Sequence, residues 1–257
     1  MEDIGIDEKR VYADREGSTT AFVAAGAGVV RVEVAGDIVG EFGLERRCDA
    51  RDVAAAGGRV AVATAEDVLV GTGDGLEPTG FGPADAVDYR DDDGLVAAGD
   101  GRVARRGGDG WATLAGPSGV RAVDGDLVAA ADGLHRLDGT PVGLEDVADV
   151  AATGRPLAAT PAGLYRLANG WVIDVEGSFR VVAADGDRAH AVTADALYER
   201  DGDDWRVDLP VTEPVADVAH GEGTYVVTEP GTVLIRTDNG WRHRSLGLSD
   251  VTAVAAR

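Results

Sequence analysis

The stretch PLAATPAGLYRLANGW, Pro156–Trp171, is the clearest copy of a phrase that recurs along the whole chain. It consists of a strand of small residues, a turn, an apolar pair and a Gly-Trp. Aligning the copies on the apolar residue after the first turn gives seven anchors, which are separated by 39, 35, 31, 30, 33 and 36 residues. The anchors are Val29, Val68, Val103, Leu134, Leu164, Leu197 and Val233. A repeat of this length with four short strand-like runs is typical of a propeller blade, so the sequence predicts seven blades.

The four tryptophans test this alignment independently. Trp111, Trp171, Trp205 and Trp241 follow one another at intervals of 60, 34 and 36 residues, and 60 equals two short repeats. Three of the four directly follow a glycine. A glycine-rich turn before a large aromatic residue suits a hairpin whose next strand packs its first side chain on the neighbouring sheet. We therefore expect all four tryptophans in one structural position.

Each repeat divides into four strands, as the fifth copy shows. These strands alternate poorly between apolar and polar residues, which is expected when neighbouring sheets cover both faces. Glycines interrupt every candidate helix, so the predicted fold class is all-β, a seven-bladed β-propeller with four-stranded antiparallel blades. The predicted strands of the fifth copy are Val147–Ala152, Pro156–Thr160, Gly163–Leu167 and Trp171–Val175.

The two ends of the chain predict how the ring closes. Nothing before Thr20 resembles the first strand of a blade, whereas Leu248–Ala255 does. The match aligns Asp250 with Asp149 and Asp217, each of which precedes a valine. The C-terminal strand is therefore expected to join blade one, which leaves no open sheet edge between the first and last repeats.

We expect one propeller domain over residues 19–257, in which residues 248–257 complete the first blade. Residues 1–18 are additional to the seven blades and are predicted to form an N-terminal arm. They contain Lys9, which is the only lysine, and the apolar pair Val11-Tyr12. We expect this arm to pack over one face of the ring or against an outer strand.

Thr160–Arg166 with its following Gly-Trp resembles the short repeats of propellers in sensor-kinase ectodomains and of sialidase-like propellers. Arg236–Trp241, RTDNGW, looks like a degenerate form of the aspartate-box turn of the latter. The whole chain, with its Ala- and Asp-rich blades, resembles a haloarchaeal family of β-propeller proteins. These resemblances imply the fold and no activity, because the shared motif belongs to the fold. The arginine triad and Tyr/Glu pair that a sialidase needs cannot be assembled from these copies.

The charge composition predicts the environment of the protein. Its 46 acidic residues, 32 of them Asp, stand against 23 Arg and one Lys, so the formal net charge is −22. Such a charge destabilises a compact chain by self-repulsion in dilute buffer. At about 1 M salt the Debye length falls to about 3 Å and most of this repulsion disappears. We therefore expect a monomer in a salt-filled cytoplasm, and the absence of an apolar leader or an 18-residue apolar run agrees with no membrane association.

Residues for catalysis or cofactor binding are sparse. The histidines His135, His190, His220 and His243 fall in four different strand classes, so we predict no metal site. Cys48 is the only cysteine and lacks a nearby base, which favours an inert thiol. The acidic run at residues 91–93 is predicted as a solvated turn. We expect no catalytic residues and no cofactor.

The strongest candidate site is positional. The starts of the first strands present acids or arginines in every copy, and first strands line the axis of a propeller. We predict a partner-binding ring at one mouth of the channel, with arginines from the loop into blade two beside it. An alternative is that the aspartates only accept hydrogen bonds from backbone amides, in the same way in every blade. The candidate residues are Arg46, Arg47, Arg51, Asp52, Asp85, Arg121, Asp149, Arg180, Asp217 and Asp250.

Three function classes are compatible with this sequence. We favour a non-catalytic scaffold that binds another protein or peptide, since a closed propeller presents rigid loops around a mouth. The alternatives are an enzyme or small-molecule binder with a site at the channel mouth, and a nucleic-acid-associated protein. Nucleic acid is the less favoured partner hypothesis, because the sequence has no basic stripe with interleaved aromatic residues.

Overall fold

Seven small sheets stand around a central axis in the computed structural model, which describes residues 18–36, 38–90, 94–237 and 240–257. The described chain has 27 strands, and six of the seven sheets contain four of them in antiparallel order. The predicted seven-bladed propeller is therefore confirmed. No helix in these ranges has the length and apolarity to cross a membrane. The predicted arm lies outside the described residues except for Ser18, as do residues 91–93 and the centre of the RTDNGW turn.

The C-terminal strand completes blade one, as predicted. The sheet order is β27-β1-β2-β3, and β1 pairs antiparallel with β27 on one side and with β2 on the other. The backbones of Thr20 and Arg257 exchange two hydrogen bonds of 3.0 Å at the end of this pairing. The strands are β1 Ser18–Ala25, β2 Gly28–Ala35, β3 Ile38–Arg46 and β27 Val251–Ala256.

Blades two and three each consist of four consecutive strands. Blade two contains β4 Ala50–Ala56, β5 Arg59–Thr64, β6 Val68–Thr72 and β7 Gly75–Pro78. Blade three contains β8 Ala86–Tyr89, β9 Leu95–Gly99, β10 Arg102–Gly107 and β11 Gly110–Ala115.

Blade four is the shortest blade. It has three strands, and in place of an outer strand a single bridge joins His135 to Pro141. Two backbone hydrogen bonds of 2.9 Å flank this bridge, from the N–H of Arg136 to the carbonyl of Thr140 and from the N–H of Val142 to the carbonyl of Leu134. The strands are β12 Val120–Asp124, β13 Leu127–Ala130 and β14 Gly133–Arg136.

Blades five, six and seven again have four strands each. Blade five contains β15 Asp149–Ala151, β16 Leu157–Ala159, β17 Gly163–Leu167 and β18 Trp171–Glu176. Blade six contains β19 Val181–Asp185, β20 Arg188–Val192, β21 Ala196–Asp201 and β22 Asp204–Pro210. Blade seven contains β23 Val215–His220, β24 Thr224–Thr228, β25 Thr232–Thr237 and β26 Gly240–Ser245.

The apolar core lies between the blades. The described residues form seven hydrophobic clusters, one at each junction of neighbouring blades. In β5, for example, Val60 and Val62 pack toward blade one, while Ala61 and Ala63 pack toward blade three. Successive side chains of a strand point to opposite faces, so a strand between two junctions is apolar at every position. This explains the continuous Val/Ala runs, and all seven repeat anchors are at most 2% exposed.

The tryptophans occupy one position, as predicted, at the start of the outer strand of blades three, five, six and seven. Each indole N–H donates to the preceding blade. The indole of Trp171 donates to the carbonyl of Val142 at 2.9 Å, and that of Trp241 donates to the carboxylate of Asp208 at 2.8 Å. The aromatic residue thus packs on the neighbouring sheet and also has its polar atom satisfied.

Candidate functional site

The first strands of all seven blades line a central channel with a cavity of about 480 Å³. Their register places one valine of each blade at the same height, and all seven line the cavity. We call these residues the valine ring. They are Val53, Val87, Val123, Val150, Val182, Val218 and Val254.

Three aspartates directly precede a member of the valine ring, in blades two, five and seven. We call Asp52, Asp149 and Asp217 the channel aspartates. In each, one carboxylate oxygen accepts the N–H of the valine that follows it, at 2.7–2.8 Å. The other oxygen accepts the N–H of the ring valine in the next blade, at 2.8 Å, and these valines are Val87, Val182 and Val254. Each side chain therefore ties two blades together at the axis.

A second layer of carboxylates lies two residues further along the first strands of blades three and four. Asp88 accepts the N–H of Gly125 at 2.9 Å, and Asp124 accepts that of Ala152 at 3.0 Å. Gly125 has a φ of 57°, and an added Cβ would lie 2.9 Å from the side chain of Ala152, so glycine is required there. Carboxylate–amide bonds thus cross five of the seven junctions in the described chain.

Removal from water raises the pKa of these carboxyl groups. Burial raises the pKa of Asp52 to about 6 and that of Asp149 to about 7, although both accept two amide hydrogen bonds that act in the opposite direction. Burial and then the charge of Asp124 raise the pKa of Asp88 to about 7. Burial and then the charge of Asp149 hold the pKa of Asp217 well above its usual range. The channel therefore holds mutually repelling carboxyl groups that bind protons near neutral pH.

Three arginines lie at the mouth of the channel, where the first strands begin. We call this end of the ring the mouth face. Each arginine donates to the blade that follows its own. Arg51 donates to Asp85 at 2.6 Å, and Arg121 donates to Asp146 at 2.6 Å.

The third arginine, Arg180, bridges blades six and seven. It donates to the carbonyl of Val215 at 2.7 Å and to the carboxylate of Glu229 at 3.4 Å. All three mouth arginines are therefore occupied by acceptors of the neighbouring blade.

The sequence predicted a single ring of acids and arginines, whereas the structure places these residues in two layers along the channel. Asp52, Asp149 and Asp217 precede the ring valine directly, whereas Arg51, Asp85, Arg121 and Arg180 lie one position nearer the mouth. These seven residues line the channel together. Repeat alignment merged the layers because both lie at the start of a first strand, only one residue apart, where the sequence offers no anchor that fixes the register.

The remaining three predicted residues lie elsewhere. Arg46 and Arg47 are exposed at the end of β3 and in the following turn, outside the channel lining. Asp250 does not correspond to Asp149, because Val254 occupies the valine-ring position and the equivalent residue is Ala253. The predicted alignment of the C-terminal strand was wrong by three residues. Asp250 has a φ of 55° and lies in the turn before β27.

Asp250 instead lines a second cavity on the mouth face, which we call the mouth cleft. It has a volume of about 650 Å³ and lies between blades six, seven and one. Arg180, Val181, Ala216 and Thr252 line both the cleft and the channel, so the two spaces meet. Sequence reasoning missed this cleft, because it depends on how three non-consecutive turns come together. The other lining residues are Val215, Glu229, Pro230, Ser249, Asp250 and Val251.

Two histidines from different strand classes come together, which the sequence did not predict. The rings of His190 and His220 lie 5.1 Å apart, and His190 also packs edge-on against Trp241. Burial lowers the pKa of His190 to about 3 and that of His220 to about 4. Within the described ranges, no group of three or more His, Cys, Asp or Glu side chains is placed to hold a metal ion.

Cys48 is partly buried beside β3, and burial raises its pKa above the usual value. Its Sγ lies 3.9 Å from the carbonyl oxygen of Arg46. A raised pKa disfavours the thiolate, which is the reactive form.

Comparison with protein families gives a match over residues 5–257 to the family described as HVO_0234-like, beta propeller. The chain belongs to this family. The HVO_0234-like match begins at residue 5, ahead of the first described strand, and extends through the closing strand. No curated protein matches the chain.

Solved structures with the same fold are distant in sequence. The structure of PorZ, a surface component of the type-IX secretion system of Porphyromonas gingivalis, is 12% identical with a TM-score of 0.58. The HVO_0234-like chain is covered to 81% and spans only 34% of the PorZ chain.

Two further structures are matched over most of both chains. A chain of the mitotic checkpoint complex is 12% identical, with 79% of this chain and 81% of that chain covered and a TM-score of 0.64. The Pan2 WD40 domain of Neurospora crassa is 9% identical, with 90% of this chain and 87% of that chain covered and a TM-score of 0.62. At these identities the likeness concerns the fold alone.

Proposed function

We propose that this protein is a non-catalytic scaffold that binds another protein through its mouth face. The observation that carries the proposal is the mouth cleft, a concave site of about 650 Å³ that opens beside the channel. Two of the structurally similar chains come from a mitotic checkpoint complex and from a WD40 domain, and a role in assembly is consistent with them. From the acidic composition, we place this binding in a salt-filled cytoplasm.

A rigid ring supports binding of this kind. The carboxylate–amide bonds of the channel and the mouth arginines connect neighbouring blades at the axis, which holds the turns of the mouth face in fixed positions. Preorganised turns lose little conformational entropy when a partner binds. We therefore favour recognition by a preformed face over recognition by a folding loop.

The alternative of an enzyme at the channel mouth rests on the raised pKa values, since shifted carboxyl groups are common in active sites. Here both oxygens of each channel aspartate already accept backbone amides, so a structural role accounts for their burial. Nucleic-acid binding gains no support, because Arg51, Arg121 and Arg180 each donate to an acidic side chain. We keep the ten predicted residues as proposed partner-binding residues of the mouth face: seven line the channel, Asp250 lines the mouth cleft, and Arg46 and Arg47 lie outside both.

The test compares bulky substitutions on the two faces of the ring. Ser249→Trp fills the mouth cleft, and Glu222→Trp places the same side chain on the opposite face, in the exposed hairpin between β23 and β24. Each tagged variant is recovered at multimolar KCl from cells that naturally produce the protein, and co-purifying proteins are quantified by mass spectrometry. We expect a stoichiometric partner with wild type and Glu222→Trp that is lost with Ser249→Trp. A partner lost only with Glu222→Trp would assign function to the opposite face.

A further inference from the structure

We propose that the mouth cleft binds the side chain of an arginine of the partner protein. This inference rests on the proposed scaffold function and names the chemistry of the same face. The cleft combines an apolar floor with carboxylates at its rim, and a guanidinium on an aliphatic stem matches both parts.

The floor of the cleft is apolar and fixed. Val181, Val215 and Val251 are between 1% and 6% exposed and belong to the clusters at the two junctions on either side of blade seven. An aliphatic stem laid over these valines removes its own apolar surface from water. The exposed ring of Pro230 adds a wall at one side.

The rim carries two exposed carboxylates. Glu229 lies in the turn between β24 and β25, and Asp250 lies in the turn before β27. The hydrogen bond that the structure gives for the Asp250 carboxylate comes from its neighbour Ser249, at 3.1 Å. A guanidinium has five N–H donors in a planar fork that suits carboxylate oxygens, so it can engage both acids.

The one cation of the cleft is already engaged. Arg180 donates at 2.7 Å to the carbonyl of Val215, and its contact with Glu229 is long, at 3.4 Å. The cleft is lined by one arginine and two acids, so the formal charges of its side chains sum to −1. A ligand of charge +1 complements this net charge. An anionic ligand would face two carboxylates at the rim.

The walls of the cleft are joined by backbone hydrogen bonds. The N–H of Val251 donates to the carbonyl of Glu229 at 3.1 Å, and the N–H of Gly26 donates to the carbonyl of Asp250 at 3.1 Å. The first bond ties blade seven to blade one beside both acids, and the second holds Asp250 within blade one, so the backbone of the site is fixed before a ligand binds. In concentrated KCl, the directional, weakly hydrated guanidinium competes with K⁺ better than an ammonium group does.

The experiment is an NMR titration of the full chain in 2 M KCl. The probe is Nα-acetyl-arginine methylamide, and its neutral isostere Nα-acetyl-citrulline methylamide is the ligand control. Glu229→Gln/Asp250→Asn removes both rim charges, and asparagine tolerates the left-handed backbone of residue 250. Asp146→Asn is the matched protein control, because Asp146 also lies on the mouth face with a φ of 50° but outside the cleft lining.

We expect saturable amide shifts confined to Glu229, Gly231 and residues 249–252 with the arginine probe, and none with citrulline. The double variant should raise the dissociation constant at least tenfold, and Asp146→Asn should leave it within about twofold. Either single substitution serves the same purpose if the double variant does not fold. Equal shifts with both probes, or binding that survives in the double variant, would overturn the proposal. If partner capture depends on the cleft but the arginine probe does not bind, the arginine assignment fails and the scaffold function stands.

Discussion

The carboxylate of Asp217 in blade seven accepts the backbone N–H of Val254, in the strand that closes blade one, at 2.8 Å. Its other oxygen accepts the N–H of Val218 at 2.7 Å in its own blade. One side chain therefore joins the last repeat to the strand that seals the ring.

Asp217→Ala should lower the free energy of unfolding by about 2 kcal/mol or more, because it leaves two buried amides without an acceptor, each costing about 1–3 kcal/mol. Asp187→Ala, in an exposed hairpin of blade six, is the control and should change stability by less than about 0.5 kcal/mol. Denaturant titration of both variants at constant KCl provides the measurement. Equal effects would mean that the Asp217 bonds do not hold the ring closed.

Stability should fall as the pH rises from about 6.5 to 8.5. The folded pKa of Asp88 and of Asp149 is about 7, whereas an unfolded aspartate is already ionised near 4. The folded state thus binds protons that the unfolded state does not, so the stabilisation is complete below pH 4 and is lost as the pH rises through 7. An unfolded histidine, with a pKa near 6.5, is half protonated at pH 6.5, so the buried, neutral His190 and His220 give a smaller, opposite change that is confined to the lower end of this window.

Thermal unfolding of wild type against pH is the measurement, and Asp149→Asn should flatten the curve because it cannot titrate. The exposed Asp187→Asn should keep the wild-type slope. A wild-type melting temperature that rises over the same interval would contradict the assigned proton binding.

Replacing His190 by leucine should raise the free energy of unfolding by about 1 kcal/mol. His190 is 3% exposed, and neither ring nitrogen has a hydrogen-bond partner among the described residues. A buried polar group without a partner costs about 1–3 kcal/mol, so an apolar side chain of similar size is favoured. His243→Leu, on the exposed outer strand of blade seven, should leave stability within about 0.5 kcal/mol. Destabilisation by His190→Leu would indicate that the ring nitrogens do bind a group.

The double variant Arg121→Gln/Arg180→Gln should unfold at a lower temperature than wild type. Arg121 donates to the carbonyl of Val147 at 3.2 Å and Arg180 to that of Val215 at 2.7 Å, so each connects two blades. Glutamine is shorter and uncharged, and it leaves Asp146 and Glu229 without their cation. Arg46→Gln/Arg47→Gln removes the same charge from exposed positions and is the control for net charge. Similar melting temperatures for the two double variants would show that the mouth arginines are free for a partner.

Lowering KCl from multimolar to about 0.1 M should destabilise the fold, because the Debye length then reaches about 10 Å and the acidic surface repels itself. Asparagine substitutions at exposed aspartates of separate blades should reduce the salt requirement additively. Melting curves of wild type and multiple variants across the KCl series test this. A melting temperature that does not depend on the KCl concentration would contradict the interpretation of the acidic surface as an adaptation to salt.

The blade pattern could be predicted because it is local. The anchor residue and the Gly-Trp turn of each repeat depend on hairpins of consecutive strands, and their spacing survives changes in loop length. The channel could be predicted only in part. Sequence placed Asp52, Asp149 and Asp217 on the first strands, but one of the two amides that each accepts belongs to the next blade, 33 to 37 residues further along.

The mouth cleft and the histidine pair could not be predicted for the same reason. Glu229 and Asp250 lie in different turns, and His190 and His220 lie in different blades at different positions of the repeat. Repeat alignment compares residues that occupy the same position in different blades. It therefore cannot reveal a contact between residues that occupy different positions of the repeat. The three-residue error at Asp250 arose similarly, since a shared Asp-Val pair was a weaker guide than the valine ring.

The closing strand also determines how the ring would respond to mechanical force. β27 and β1 are antiparallel neighbours, and Thr20 and Arg257 exchange hydrogen bonds at the same end of the sheet. A load applied between residues 18 and 257 would therefore break the pairs one after another, beginning with these two, rather than shear all of them at once. Pulled in this way, the propeller should open at low force from blade one.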